Sequence, residues 1–171
     1  MPHALILGPS GKIGTHSDAA FRHAGWTVAH YRRGTDMIAA AKGADVIVNG
    51  LNPPNYHAWD RIVPEITAKV IAAAHASGAT VIVPGNVYNF GDQPGTLTET
   101  TPHRPNSRKG QIRVEMEQSY RDSGVQTLIL RAGNFIDPNR NGDVMSLVCF
   151  KSIARGRITA LGDPAAVQAY A

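Results

Sequence analysis

The sequence predicts an α/β fold: a doubly wound parallel sheet in a three-layer αβα sandwich. Three observations predict it. Short, β-branched-rich runs alternate with helix-length segments along the chain. Each run is short and rich in β-branched residues, as strands buried on both faces tend to be. A glycine-rich turn, Gly8-Pro9-Ser10-Gly11-Lys12-Ile13-Gly14, joins the first run, Ala4-Leu5-Ile6-Leu7, to a segment that reads as helix. Such a turn aims backbone N–H groups and the positive end of the helix dipole at one point, which suits a pyrophosphate. The expected architecture is a Rossmann-like dinucleotide-binding domain of about five or six strands, with the first strand inside the sheet.

The elements follow in order. Strand 4–7 leads into the glycine turn. There Gly8 permits the tight exit, Gly11 permits close approach of the chain to phosphate, and Gly14 lets the helix over 12–24 pack on the sheet. The spacing is G-x-x-G-x-x-G, and the competing reading is a tight βα turn that uses glycine for sterics alone. A Walker A loop is excluded, because no glycine lies five before Gly11 and Ile13 stands where Ser or Thr would bind magnesium. The pattern then gives strand 27–31, a short helix over 36–42 and strand 45–49. A long helix over roughly 56–77 contains Pro64, so it starts near that residue or kinks there. Strand 80–84 is followed by residues 85–106, rich in Gly, Pro, Thr and Asn, a loop long enough to be functional. The helix over 109–122 carries Ile112, Met116 and Tyr120 four apart on one face, and strand 126–131 follows. A last helix is expected over 144–155. The ending, Gly162 to Ala171, offers neither a closing strand nor a capped helix and reads as cut short. Right-handed crossovers place 8–14, 49–55, 84–91 and 132–138 at the carboxyl ends of the strands, where open α/β sheets bind ligands.

Bulk properties narrow the function. With 171 residues, 43% hydrophobic and 18% charged, the chain reads as one domain, 1–171, of an ordinary globular protein. The formal charge of +4 is spread, with clusters at Arg32-Arg33 and Arg104 to Arg113 and no interleaved aromatics, so a nucleic-acid partner is not expected. The single Cys149 lies in the apolar run Val144 to Phe150, where a packed thiol outweighs a nucleophile. The seven histidines are scattered without ligand spacing, so no metal is expected. No apolar run reaches membrane-spanning length and no signal peptide precedes the first strand, which makes the cytoplasm the default. Val144, Leu147, Val148 and Phe150 have no evident covering element, so homo-oligomer formation or a sticky tail is expected.

Cofactor choice is legible at the second strand. A site for NAD usually ends that strand with Asp or Glu, which accepts from the ribose hydroxyls. Here the strand ends His30-Tyr31-Arg32-Arg33-Gly34. A guanidinium binds a 2′-phosphate that a carboxylate would repel. NADP is therefore expected ahead of NAD, with Arg32 as main contact and Arg33 as second, and with Ser10 and Lys12 near the phosphates. The opposing reading makes both arginines solvent-facing turn residues. Asn49, at the end of the third strand, offers an amide to the cofactor, although turn chemistry also explains it.

Several segments together resemble the extended and atypical short-chain dehydrogenases/reductases, the NAD-dependent epimerase/dehydratase family. The glycine turn is one, and Ala44-Asp45-Val46-Ile47-Val48-Asn49 is similar to the family's strand leading to the nicotinamide ribose. Val83-Pro84-Gly85-Asn86-Val87-Tyr88-Asn89-Phe90-Gly91 resembles its serine-bearing strand followed by V-Y-G. Leu97-Thr98-Glu99-Thr100-Thr101-Pro102 resembles its T-E-x-x-P loop, and Leu130-Arg131-Ala132-Gly133-Asn134-Phe135 its L-R-x-G-N segment. The resemblance implies a cofactor-binding Rossmann domain, a small-molecule substrate and oxidoreductase or epimerase chemistry. It also implies that 138–171 begins a substrate-binding region that is largely missing.

The departures are specific. Family members use Ser, Tyr and Lys, the last two spaced Y-x-x-x-K. Alignment puts Pro84 at the serine, Lys109 at the tyrosine and Arg113 at the lysine, so the standard tyrosinate mechanism does not carry over. The short span between Tyr31 and Ala44 omits a strand and helix that most relatives insert. Lys109 and Arg113 share a helix face: either Lys109 is a proton donor, or both hold an anionic substrate, or they form a solvated basic stripe with Arg113 paired to Glu117. Tyr88 either presents a phenol near the nicotinamide or simply packs. Two functions remain: an atypical NAD(P)-dependent oxidoreductase or epimerase lacking the Ser-Tyr-Lys triad, or a non-catalytic NADP-binding sensor or inactive remnant.

Overall fold

A computed structural model describes residues 1–53, 57–135, 137, 143, 145–160, 162–163 and 165. Five strands form one parallel sheet in the order β2-β1-β3-β4-β5, with β1 His3–Leu7, β2 Thr27–His30, β3 Val46–Asn49, β4 Thr80–Gly85 and β5 Thr127–Arg131. The doubly wound parallel sheet is therefore as predicted, and β1 lies inside it. β2 forms one edge, so the inserted strand of most relatives has no counterpart among the described residues.

Period-two alternation sorts the core. Leu5, Leu7, Ile47, Val81 and Val83 point to one face, beneath α2 Met37–Ala41, α3 Trp59–Ser77 and α4 Arg108–Asp122. Ala4, Ile6 and Val48 point to the other, where Ile13 and Phe21 of α1 Lys12–His23 cover them. Ile112, Met116 and Tyr120 are buried as their spacing predicts. Each fully buried aliphatic side chain contributes about 1.5–3 kcal/mol, so the face under α2, α3 and α4 supplies most of the core. On the opposite face Leu128 and Leu130 of β5 stay half exposed.

Register aligns the functional ends. Leu7 pairs with Asn49 and Ile6 with Val48, so β1 and β3 finish level and their exits, Gly8 and Gly50, meet side by side. Pro64 falls inside α3, which starts five residues earlier, so the helix neither begins at the proline nor ends there.

The chain divides into two compact units, 1–130 and 131–171. In the second, the expected helix over 144–155 is not formed. A π-type turn spans Met145–Cys149, where Phe150 N–H reaches the Met145 carbonyl, and a 3₁₀ turn spans Ile153–Arg155 before Gly156 at φ +67°. Each turn is far shorter than a self-supporting helix, and Leu147 and Ile153 are exposed, so tertiary burial does not make up the nucleation cost. Cys149 is buried, in keeping with a packed thiol. Val144, Pro138, Asn139 and most of the final ten residues lie outside the described residues. Among the described residues no helix is long and apolar enough to cross a membrane.

Candidate functional site

The β1–α1 turn is built by steric necessity. Gly8 sits at φ +74°, and a Cβ there would lie 2.8 Å from the Gly50 carbonyl oxygen. A Cβ on Gly14 would lie 2.1 Å from the Gly8 oxygen, so α1 can dock only with glycine there. Gly50 is held the same way, its absent Cβ 2.7 Å from the Leu7 oxygen. Gly11 differs, because a Cβ there would meet only the Gly8 oxygen at an ordinary 3.5 Å. The fold does not need glycine at 11, whereas a ligand approaching the backbone would.

Gly11 is also the N-cap of α1, and no side chain caps the helix. The first turn carries no acidic residue, and Lys12 begins it. Uncapped N–H groups on a helix of 12 residues, beside a cradle that a Cβ would fill, fit a pyrophosphate. Ser10, Gly11, Lys12, Ile13 and Gly14 make up this turn and the start of α1.

From Gly50 the chain runs into Leu51, Asn52 and Pro53, which form one wall of a cavity of about 610 Å³. The opposite wall is the β2–α2 segment, including Tyr31, Arg33, Asp36 and Met37, and the floor is a face of α3. The volume suits a nucleotide moiety. Arg33 lines this cavity; Arg32 is exposed and is not among its lining residues. The Arg32 carbonyl instead anchors the turn, accepting from Thr35 N–H and from the Thr35 hydroxyl at 2.7 Å.

Asn49 is buried, and its amide hydrogen-bonds inside the protein. Its Nδ2 donates to the Tyr120 hydroxyl at 3.1 Å, and its Oδ1 accepts from Leu51 N–H at 3.3 Å. It clamps the β3 exit to α4. Burial pushes the Tyr120 phenol up to about 12, with the Asn49 and Thr67 hydrogen bonds pulling the other way.

Of the residues aligned with the Ser, Tyr and Lys of the resembled family, Lys109 and Arg113 lie in the first half of α4. Pro84 lies in β4, and Tyr88 begins a 3₁₀ turn, Tyr88–Phe90. Lys109 lies exposed in the first turn of α4. Gly110 binds the two together, since a Cβ there would lie 2.5 Å from the Tyr88 carbonyl oxygen. Arg113 is half-buried, its guanidinium 4.7 Å from the centre of the Trp59 ring and 3.3 Å from Asn52 Oδ1. Through Asn52 it adjoins the cavity. The buried Glu117 carboxylate meets His103 at 3.7 Å and Arg121 at 3.6 Å.

Gly50, Asn52, Trp59 and Gly110 escaped the sequence reading. An isolated glycine within a helical pattern is a signal that could have found Gly110. Trp59 and Asn52 carry no local signal, because their partner Arg113 is more than fifty residues away.

No protein-family model matches the chain, and no curated protein is detectably similar in sequence. Solved structures do match. A short-chain dehydrogenase/reductase superfamily protein from Agrobacterium tumefaciens with bound NAD is 24% identical, with a TM-score of 0.63 over 79% of this chain and 50% of that one. A dTDP-4-dehydrorhamnose reductase from Yersinia enterocolitica is 20% identical, TM-score 0.74, over 91% of this chain and 61% of that one. A mutant UDP-glucuronic acid 4-epimerase from Bacillus cereus, in complex with UDP-4-deoxy-4-fluoro-glucuronic acid and NAD, is 16% identical, TM-score 0.77, over 94% and 66%. The chain therefore spans between half and two-thirds of the length of these structures. They establish the Rossmann-like fold, and they come from the same group of reductases and epimerases that the sequence motifs resemble.

Proposed function

We propose that this chain binds a nicotinamide dinucleotide, NADP ahead of NAD, and belongs with the epimerase/dehydratase-type proteins as an atypical oxidoreductase or epimerase. Two observations carry the reading: the N-terminus of α1 at Gly11, which no side chain caps, and the cavity that Arg33 lines together with Leu51, the residue after Gly50. Backbone N–H groups of the turn hold the pyrophosphate, with Ser10 and Lys12 beside it. The apolar walls at Leu51, Ile62 and Ile66 receive the adenine, and Arg33, with Arg32 next to it, meets the 2′-phosphate. Bound there, the nicotinamide ring supplies hydride transfer.

The residues around α4 do different work from a Ser-Tyr-Lys set. Arg113, fixed between Trp59 and Asn52, presents a permanent cation where an anionic substrate or a ribose diol is held. Lys109 is the proton donor in this reading and Tyr88 an auxiliary hydroxyl. The substrate is a small molecule, as the UDP-sugar in one matched structure suggests by analogy. Self-association through the apolar run that holds Leu147 and Phe150 accompanies this reading.

The competing reading, a non-catalytic NADP sensor, draws on Pro84, which has no hydroxyl, and on Arg113, which is already engaged by Trp59 and Asn52. Calorimetric titration with NADP and NAD tests binding. The expected result is tighter NADP, weakened roughly tenfold in Arg33→Ala, as for loss of one charge-assisted hydrogen bond. Equal or tighter NAD would refute the cofactor assignment. Turnover of NADPH with small carbonyl compounds, lost in Lys109→Met while NADP still binds, separates enzyme from sensor.

A further inference from the structure

The face of α3 that floors the cavity repeats at Ile62, Glu65, Ile66, Lys69 and Ala72, a helical stripe about 15 Å long. Four charged side chains line the same cavity: Arg33 and Lys69, Asp36 and Glu65. The two carboxylates are occupied. Asp36 caps α2, accepting from the N–H groups of Ile38 at 2.9 Å and Ala39 at 3.3 Å. Glu65 sits 3.5 Å from Arg61, one turn earlier on α3. Neither cation makes a hydrogen bond or ion pair with any described residue, although Lys69 is four residues from Glu65 and could have paired with it. The cavity thus combines apolar walls with two uncommitted cations, one on the β2–α2 turn and one on a different element.

We propose that Lys69 is the second cation of a ribose-phosphomonoester subsite, closing on the phosphate from α3 while Arg33 meets it from the β2–α2 turn. The proposal rests on the dinucleotide reading and refines it, moving the partner of Arg33 from the adjacent Arg32 to the helix across the cavity. A lysine ammonium on a four-carbon stem suits a monoester dianion, whose charge it meets as a point charge, while the guanidinium forks onto two oxygens. An adenylate without the 2′-phosphate gains nothing from Lys69.

The test is calorimetry on the full chain with adenosine 2′,5′-bisphosphate, AMP, NADP and NAD, for wild type, Lys69→Met and Lys69→Arg. Methionine and arginine keep helix propensity at this exposed site, and a melting curve checks the fold. The expected result is a loss of roughly tenfold for the bisphosphate and for NADP in K69M, with AMP and NAD within about twofold and K69R near wild type. Three results would overturn it. If K69M leaves NADP and bisphosphate unchanged while wild type binds them, the clamp is wrong and the dinucleotide reading stands. If K69M weakens all four ligands alike, Lys69 shapes the pocket and does not read the phosphate. If wild type binds none of the four, both readings fall together.

Discussion

Two strand-to-helix exits in this molecule use one steric device for opposite ends. At β1–α1, Gly14 admits the Gly8 carbonyl, and at β4–α4, Gly110 admits the Tyr88 carbonyl. The helix that follows differs. The N-terminus of α1 is left without a side-chain cap. That of α4 is closed by Ser107, whose hydroxyl accepts from Gly110 N–H at 3.1 Å. Its first turn then carries Arg108 and Lys109, cations set against the positive end of the helix dipole. Arg108 is compensated by Asp60 at 2.8 Å. An open helix end waits for an anion from outside, whereas a capped end bearing cations spends stability to place side chains. In the proposed reading the first is a binding device. The second, in the proposed reading, is where chemistry would sit.

The sharpest way to break this comparison is to fill each glycine. In Gly14→Ala the new methyl meets backbone only, at 2.1 Å from the Gly8 oxygen, so α1 must move. A destabilisation of about 3 kcal/mol is expected, with dinucleotide binding abolished. Gly110→Ala meets the Tyr88 carbonyl at 2.5 Å and displaces the 3₁₀ turn instead, costing about 1–3 kcal/mol while NADP affinity stays near wild type. Denaturant melts and calorimetry on both variants check this. Loss of NADP binding in Gly110→Ala would show that the two exits form one site.

The link between the two regions is Asn49–Tyr120, and pH tests it. The folded-state pKa of Tyr120 lies at about 12 and its unperturbed value is 10.0. Below pH 10 the phenol is protonated folded and unfolded, and the full stability is present. Between pH 10 and 12 the unfolded chain loses the proton and the folded one keeps it, so stability falls with rising pH by about 2–3 kcal/mol. Tyr120→Phe removes that alkaline loss. At neutral pH it costs about 1–2 kcal/mol, because the Asn49 amide is left buried without its partner. Melting curves at pH 8 and pH 11.5 for both proteins read the difference, and parallel losses in the two would sink the assignment to Tyr120.

What was legible in the sequence follows from the range of the forces involved. The strands and the glycine turn are local, written in β-branched runs and in φ/ψ needs that only glycine meets, and they stand where the pattern put them. Asn49 shows the limit. Its place at a strand end was readable, and so was the turn chemistry that its Oδ1 supplies to Leu51 N–H, but its other partner, Tyr120, lies 71 residues on. The cavity floor was hidden for a similar reason. Ile62, Glu65, Ile66 and Lys69 read as an ordinary mixed helix face until the short β2–α2 segment is seen opposite. The helix expected over 144–155 failed because apolar periodicity suggests burial without supplying a surface to bury against.

The smallest test concerns the entry to α3, which delivers Trp59 to Arg113. Ala58 caps the helix at φ +46°, ψ +41°, the only non-glycine residue with positive φ among the described residues, and it makes no side-chain cap. An L-alanine in that region costs about 1 kcal/mol, and glycine does not. Were stability the only constraint, glycine would be favoured. Ala58→Gly should therefore stabilise the fold by about 0.5–1 kcal/mol, offset in part by the added freedom of the unfolded chain. If the strained residue fixes the angle at which Trp59 meets Arg113, the same variant loosens the α4 side, slowing any turnover while NADP affinity at the α1 side holds. A gain in melting temperature with unchanged turnover would mean that the strain serves neither region. A loss of stability would mean that Ala58 is not left-handed in solution.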